Sequence, residues 1–278
     1  MAGLRPPTRD SNRLARTPMR PPTRAETPDR AARQALRDAV RVLDAPRARV
    51  RATAGAFAAI CDEARGAGRG VRRADLATLV PLLRATLAAL PPGVDGTGVV
   101  ATPGLLEDGV LWLEWWRRGP GGGAERLEVV FDPDHPAHFD YPEAEWFAVP
   151  HERDVTWIAG PFVDCGGTNR HLCTYTVPVH GAGGRFLGVA GVDLRVGYLE
   201  RVARRALSAI DGRAVLVNRD ARVVASNAPD LPAGSLLDPP LSSWIREDAQ
   251  LPAAARTVAW DRDLPWGVVV LPSLALAS

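Results

Sequence analysis

Lysine is absent from this sequence, and all 34 of its basic residues are arginine. The bias accompanies abundant alanine, glycine, proline and valine, which indicates a GC-rich bacterial genome rather than a functional requirement. Residues 1–33 hold eight arginines and three carboxylates, a net charge of +5, which leaves −3 for the rest of a chain whose total is +2. A slightly acidic body argues against a nucleic-acid groove as its main surface.

Long apolar runs are also missing. A membrane-spanning helix needs about 20 consecutive apolar residues, and the longest candidate, residues 76–90, contains Pro81 and Arg84. The basic start is followed by arginine, proline and threonine instead of the apolar segment of a secretory signal. We therefore expect a cytoplasmic protein without a membrane partner, whose three cysteines stay reduced.

Motifs of the common enzyme classes do not occur. The sequence lacks a phosphate-binding loop, a Gly-x-Ser-x-Gly nucleophile motif and a dinucleotide-binding glycine pattern. Cys165, His171 and Cys173 have a composition suited to a metal, but they lie across a predicted hairpin without C-x-x-C spacing or an obvious fourth ligand. We expect structural cysteines, no metal or other cofactor, and no catalytic residues.

The N-terminal third differs in texture from the rest of the chain. Residues 1–28, rich in proline, arginine and threonine, are expected to form a disordered leader, unless translation starts at Met19. Residues 29–92 are predicted to be helical, with a long helix interrupted near Pro46 and then an amphipathic helix. The apolar face of this second helix consists of Leu76, Leu79, Val80, Leu83 and Leu87.

Short strand-like runs between turn signals dominate residues 93–200 and 212–278, and the end of a connecting helix, 201–211, separates them. This succession predicts an α+β protein, in which a long N-terminal helix precedes two antiparallel-sheet modules, the first of them larger. Residues 132–154, dense in aromatics and proline, are expected to form a structured loop without a regular element. The second module is expected to hold a hairpin, a short helix around 241–248 and two final strands.

Five segments, taken together, form a pattern that includes glycine, proline, aromatic and aspartate residues. They are WF at 146–147, GPFVD at 160–164, TYTVPV at 174–179, GRFLGVAGVDL at 184–194 and AVLVNRDARVVASN at 214–227. Together they resemble the double-Cache family of sensor domains, whose long N-terminal helix precedes two PAS-like sheet modules. The resemblance covers about residues 30–272 and implies a small-molecule sensor rather than an enzyme. The flanking membrane helices and output domain usual in that family are missing, so we expect a stand-alone soluble member.

The resemblance also implies a ligand site. In amine- and amino-acid-binding members two aspartates grip the ligand ammonium, and their positions correspond to Asp164 and Asp193. A buried ammonium has to be paired and hydrogen-bonded, and two carboxylates can do both. The alternative is structural, with Asp164 capping the hairpin turn and Asp193 capping the helix that follows.

The arginine that binds the ligand carboxylate in amino-acid-binding members is missing, because the alignment places Ala144 there, between Glu143 and Glu145. An amine or quaternary ammonium ligand therefore fits better than an amino acid, although Arg117 or Arg118 can still supply an anion contact. Aromatic faces can wall a cation, and the alternative for each aromatic is a place in the core. The predicted ligand-binding aromatics are Trp116, Tyr141, Trp146, Phe147 and Phe162.

The leading hypothesis is a soluble sensor that binds a small cationic or zwitterionic metabolite, such as an amine, a quaternary ammonium compound or an amino acid, in the larger module. Binding would shift the packing of the N-terminal helix in a homodimer, and a signalling partner such as a transcription regulator would read that shift. Two alternatives remain. One is a ligand-binding module without a signalling partner, and the other is a hydrolase that uses the two aspartates as acid and base.

Overall fold

The computed structural model describes residues 30–165, 167–237, 257–261 and 263–271. The leader expected at 1–28 and the short helix expected around 241–248 lie outside the described residues. Within them, a helical N-terminal region precedes two antiparallel sheets.

The long N-terminal helix is broken once. Helix α1 spans Arg30–Val40, helix α2 spans Asp44–Gly66, and a single 3₁₀ turn at Arg41–Leu43 joins them. The interruption that the sequence predicts near Pro46 therefore falls just before the proline. Pro46 itself lies in the first turn of α2, where its missing N–H has no intrahelical partner to lose.

The second predicted helix is divided into α3, Arg73–Ala77, and α4, Val80–Ala89. Its predicted apolar face is nevertheless the buried one, and only Val80 on that face is half-buried. The fully buried members are Leu76, Leu79, Leu83 and Leu87.

The first module is a six-stranded antiparallel sheet with the strand order β3-β2-β1-β6-β5-β4. Its strands are β1 Val94–Ala101, β2 Leu113–Arg118, β3 Ala124–Arg126, β4 Trp157–Val163, β5 His171–His180 and β6 Phe186–Arg195. Strand β4 forms one edge of the sheet. Helix α2 packs on one face, across β5, β6 and β1, and we call the opposite face the outer face.

The stretch 132–154 contains a helix that the sequence did not predict. Helix α5 spans Glu145–Arg153 and ends at Asp154, which has a left-handed φ of 53°. It buries Phe147 and Pro150 against the sheet, over β4, β5 and β6. A helix this short is marginal in isolation, so packing stabilises it against a sequence that favours a loop.

Helix α6, Val196–Leu207, leads into the second module, a four-stranded antiparallel sheet with the order β8-β7-β10-β9. Its strands are β7 Arg213–Asn218, β8 Val223–Ser226, β9 Thr257–Trp260 and β10 Trp266–Leu271. These are the hairpin and the two final strands that the sequence predicted. The predicted α+β arrangement of an N-terminal helix and two antiparallel sheets is confirmed.

Candidate functional site

A row of side chains crosses the outer face of the first sheet. Strand pairing places Thr174, Asp193, Gly96, Arg117 and Glu125 opposite one another on five adjacent strands. Residues paired directly across antiparallel strands project to the same face. Asp193 and Arg117 therefore share the outer face, with only a glycine between them.

Asp193 is a buried carboxylate whose two oxygens both accept a hydrogen bond. Its Oδ2 accepts from the indole Nε1 of Trp115 at 2.8 Å, and its Oδ1 accepts from the hydroxyl of Thr174 at 2.7 Å. The N-cap of α6 is Arg195, so Asp193 does not cap this helix. Of the two roles considered from the sequence, the structure excludes the helix cap for Asp193.

The surroundings of Asp193 bring its titration close to neutral pH. Burial is the main cause that raises the pKa of Asp193 to about 7, and the carboxylates of Asp164 and Asp95 act in the same direction. The hydrogen bonds from Thr174 and Trp115 lower this pKa and only partly offset the burial. When ionised, Asp193 is a buried negative charge with neutral hydrogen-bond donors and no cation within ion-pair distance among the described residues.

The indole of Trp115 lies over the sheet because glycines leave room for it. A Cβ atom at Gly98 would lie 2.5 Å from Cε3 of Trp115, and one at Gly96 would lie 2.7 Å from its Nε1. Gly191 on the neighbouring strand lies against the far end of the same indole. These glycines let the ring lie flat enough for its N–H to reach Asp193.

Trp146, at the start of α5, extends this aromatic surface. Its ring centroid lies 6.4 Å from that of Trp115. The hydroxyl of Thr176 donates to the Trp146 carbonyl at 2.7 Å, which ties the start of α5 to strand β5.

A cleft of about 600 Å³ opens beside Trp146, along the edge strand β4. Trp146 and Phe162 supply its aromatic lining, and Ala159, which pairs with Thr174, supplies part of its floor. Its volume lies within the range of small-molecule sites, which often occur between domains. The ionisable and amide side chains that line it are Glu145, His171, Asn218, Asp220 and Arg222.

The second module closes one side of this cleft. The amide Nδ2 of Asn218 donates to the carbonyl of Gly160 on β4 at 2.9 Å. The side-chain Oδ1 of Asn218 accepts from the backbone N–H groups of Asp220 and Arg222. One buried amide therefore joins the two modules and holds the β7–β8 turn in the cleft wall.

The acidic part of the lining lies near the start of α5. Glu145 Oε1 accepts from the indole N–H of Trp157 at 2.8 Å. The residue as a whole is exposed, but its carboxyl group is enclosed enough that burial raises its pKa, and the Asp220 carboxylate acts in the same direction. Glu145 and Asp220 also line an adjoining cleft of about 210 Å³.

The two predicted aspartates have different surroundings. Asp164 is half-buried, and its Oδ2 accepts from both the backbone N–H and the hydroxyl of Thr168. This is the turn-capping role that the sequence left open for Asp164. The side chain of Asp193, by contrast, points across the sheet and away from any turn.

Three of the predicted aromatics lie away from the cleft. Trp116 projects to the face opposite Asp193 because side chains alternate along β2, and the guanidinium of Arg84 lies 5.1 Å from its ring. Tyr141 is fully buried and donates to the carbonyl of Ala101 at 2.8 Å. Phe147 packs edge-on against Tyr141 in the apolar cluster of the outer face.

The arginines of β2 also differ. Arg117 faces outward in the row of Asp193 and pairs with Glu125 at 3.5 Å, outside the cleft lining. The side chain of Arg118 lies on the other face and donates to the carbonyls of Val94, Leu87 and Leu90. Its role is to satisfy backbone carbonyls at the end of α4 and at the start of β1.

The cysteines and His171 are separated in the fold. Cys173 is buried on the α2 side of the sheet, Cys165 is exposed, and His171 lines the cleft. Among the described residues, no three His, Cys, Asp or Glu side chains come together in a way that could hold a metal ion.

Sequence reasoning did not identify Arg222, Asn218 or Thr174 as site residues. Asn218 and Arg222 occur in an ordinary hairpin, and nothing in that hairpin indicates that it faces strand β4. Only the packing of the two modules brings them to the cleft.

Solved structures share this fold, although no protein-family model and no curated protein matches the sequence. The extracellular domain of the histidine kinase soHK1S-Z6 has a TM-score of 0.54 at 18% identity, over 87% of this chain and 91% of that one. The ligand-binding domain of the Campylobacter jejuni chemoreceptor Tlp3, in complex with L-valine, has a TM-score of 0.53 at 12% identity, over 87% and 91%. The corresponding domain of the Pseudomonas fluorescens chemoreceptor CtaA, also with L-valine, has a TM-score of 0.50 at 16% identity, over 88% and 95%.

This chain therefore has the fold of the Cache-type sensory domains of chemoreceptors and histidine kinases, and the resemblance predicted from the sequence is confirmed at that level. The matching domains are sensory rather than enzymatic. The soHK1S-Z6 domain is extracellular, so it lends no support to the cytoplasmic location expected from the sequence. In the part of the chain that the structure describes, no helix is both long and apolar enough to cross a membrane.

Proposed function

We propose that this chain is a sensor module that binds a small cationic or zwitterionic metabolite in the cleft beside β4. The proposal rests on the cleft itself, which combines the aromatic walls of Trp146 and Phe162 with the carboxylates of Glu145 and Asp220. An aromatic face attracts a cation by about 0.5–2 kcal/mol, and nearby carboxylates add to that attraction. Two domains of the same fold were solved with L-valine, which also carries an ammonium group.

In this proposal Asp193 is a positioning residue. Its side chain is not part of the cleft lining, and its two oxygens accept hydrogen bonds from Trp115 and Thr174, so we place the ligand ammonium at Glu145 and Asp220. The hydrogen bond instead holds Trp115 against Trp146, and Trp146 forms the cleft wall.

Replacing one aromatic wall tests the location of the ligand. A thermal-shift screen of amines, quaternary ammonium compounds and amino acids first identifies a compound that binds, and calorimetry then measures its affinity. Trp146→Leu should weaken binding roughly threefold to thirtyfold, the loss of one aromatic face. Trp116→Leu is the matched control, since Trp116 faces α4, and it should retain the wild-type affinity. Equal affinities for wild type and Trp146→Leu would place the ligand elsewhere.

Two substitutions separate the positioning role of Asp193 from the direct grip that the sequence suggested. Asparagine at this position keeps the shape and a hydrogen bond to Trp115 but removes the charge, so Asp193→Asn should bind the amine almost as well as wild type. Asp193→Ala should bind more weakly because Trp115 loses its partner. If both variants lose affinity equally, by the tens- to thousandfold expected for breaking a buried ion pair, then Asp193 contacts the ammonium directly.

The signalling part of the proposal uses the N-terminal helices. Helix α2 packs on β5 and β6 of the first sheet, whereas α1 packs on α6, β9 and β10 of the second module. A ligand held between the modules can therefore alter the packing of both helices. We propose that a homodimer presents this change to a signalling partner such as a transcription regulator. Pull-down with and without the screened ligand tests the partner, and light scattering tests the dimer.

The proposed cellular location is the cytoplasm, where the three cysteines of the chain, none of them in a disulfide, would stay reduced. Fractionation of the native host tests this location. A hydrolase acting through Asp164 and Asp193 finds less support, because the Oδ2 of Asp164 is bound to its own turn. Turnover of a panel of amides and esters would revive that alternative.

A further inference from the structure

In the main cleft, the one of about 600 Å³ beside β4, the negatively and the positively charged side chains lie at opposite ends. Glu145 and Asp220 lie toward the Trp157 end of β4, since both of them line the adjoining cleft together with Trp157. Arg222 and His171 lie toward the Val163 end of β4.

Several contacts locate the basic end. His171 pairs with Val163 across the β4–β5 ladder. The guanidinium of Arg222 donates from Nη1 to the carbonyl of Gly234 at 2.8 Å, and a Cβ atom at Gly234 would lie 3.8 Å from Cε1 of His171. The Arg222 guanidinium and the His171 imidazole therefore lie on the same side of the cleft.

Arg222 can bind an anion. A guanidinium carries five N–H donors, and the bond to Gly234 uses one of them. Among the described residues, no carboxylate lies within ion-pair distance of Arg222, in contrast to Arg126 or Arg170, which pair with Glu114 and Asp95. Its backbone is held in place through Asn218, so the guanidinium is presented to the cleft by a fixed turn.

The two charged ends are far apart for a compact ligand. Strand β4 rises about 3.3 Å per residue, so the part of it that lines the main cleft, residues 159–163, is on the order of 13 Å long. An α-amino acid carries its ammonium and carboxylate on one carbon and cannot reach both ends at once. A linear molecule with opposite charges at its two ends can, and its apolar chain would lie against Trp146 and Phe162.

We propose that the cleft selects an elongated zwitterion, whose ammonium lies at Glu145 and Asp220 and whose carboxylate is bound by Arg222 with His171 beside it. The inference rests on the proposed function and specifies its ligand class. It makes the second module a part of the binding site, and Arg222 supplies the anion contact for which the first module has no arginine in the cleft.

Two isomers test the charge separation directly. Norleucine and ε-aminocaproate have the same atoms, but only ε-aminocaproate carries its charges at opposite ends, and pentylamine is the same chain without the carboxylate. Calorimetry on the full chain should show ε-aminocaproate binding more tightly than either of the other two. In Arg222→Gln its affinity should fall roughly ten- to a hundredfold, to that of pentylamine, as for a lost hydrogen bond to a charged group. Pentylamine itself should bind unchanged.

Arg153→Gln is the matched control, because Arg153 lines the adjoining cleft but not the main one, and it should keep the preference for ε-aminocaproate. If norleucine binds as tightly as ε-aminocaproate, or if Arg222→Gln leaves the preference intact, the elongated-zwitterion inference is wrong while the proposed amine site stands. If none of the three probes binds wild type and the wider amine screen is also negative, the proposed function and this inference fail together.

Discussion

Replacing Asp193 by asparagine should change the pH dependence of folding stability. The carboxylate is buried, and its pKa is raised from an ordinary 3.8 to about 7. Asparagine has the same shape, its amide oxygen can accept from Trp115, and its amide nitrogen can donate to the hydroxyl oxygen of Thr174. The variant therefore keeps the packing and loses only the titration.

The direction of the effect follows from proton binding. Between these two pKa values the folded protein holds a proton on Asp193 that the unfolded chain has released, so the stability contributed by this group falls as the pH rises. With these values, wild type should lose roughly 2–3 kcal/mol from this group alone between about pH 5 and about pH 8. Almost all of the loss should occur before about pH 8, once the folded carboxyl group has ionised.

Urea denaturation of wild type and Asp193→Asn at about pH 5 and about pH 8 measures this difference. Every other titrating group is shared by the two proteins, so the change in their stability difference reports Asp193 alone. We expect the variant to gain roughly 2–3 kcal/mol on wild type as the pH is raised between these values.

The opposite result is equally informative. Parallel pH dependence of the two proteins would mean that water reaches the carboxylate and that the indole of Trp115 does not seal it. The conclusion that the glycines let the Trp115 indole cover a buried Asp193 would then be wrong.

Three other substitutions or probes test the described packing. Gly98→Ala places a methyl group against a backbone carbonyl of β2 and should lower the free energy of unfolding by about 1–3 kcal/mol. Gly123→Ala, which has open space around it, should leave that free energy unchanged, and urea denaturation compares the two variants. Asp95→Ala removes a fully buried carboxylate that pairs with two arginines and should lower the free energy of unfolding by about 3–5 kcal/mol. Thermal denaturation measures the effect, and an unchanged melting temperature would contradict it. A thiol reagent should modify only the exposed Cys165 in the native protein, because the other two cysteines are buried, and labelling of a second thiol before unfolding would refute that burial.

Much of the architecture follows from local patterns in the sequence. Short strand-like runs between turn signals predicted the strands of the first module, and the hairpin and final strands of the second, because turn residues mark where a strand has to end. The helical face that includes Leu76 and Leu83 was also predicted, since its spacing already specifies which side is buried. Helix α5 was missed because its proline and aromatics favour a loop, and its stability comes from burying Phe147 against a sheet that the local sequence does not contain.

The candidate site also combines features that the sequence indicated with features that only the tertiary structure decided. The family resemblance implied that Asp193 contacts a ligand, and this stays a prediction. The structure buries Asp193 on the outer face of the sheet, where Trp115 and Thr174 donate to it, and does not include it in the cleft lining. Whether Trp115 or Trp116 faces Asp193 depends on strand register, which two adjacent identical residues leave undetermined. Arg222 reaches the cleft only because the second module packs against the edge of the first, and the Asn218 side chain holds it there. Local sequence determines which faces of the elements are apolar, whereas the contacts between elements distant in the chain, and hence the shape and charge of the cleft, are decided only when the two modules pack together.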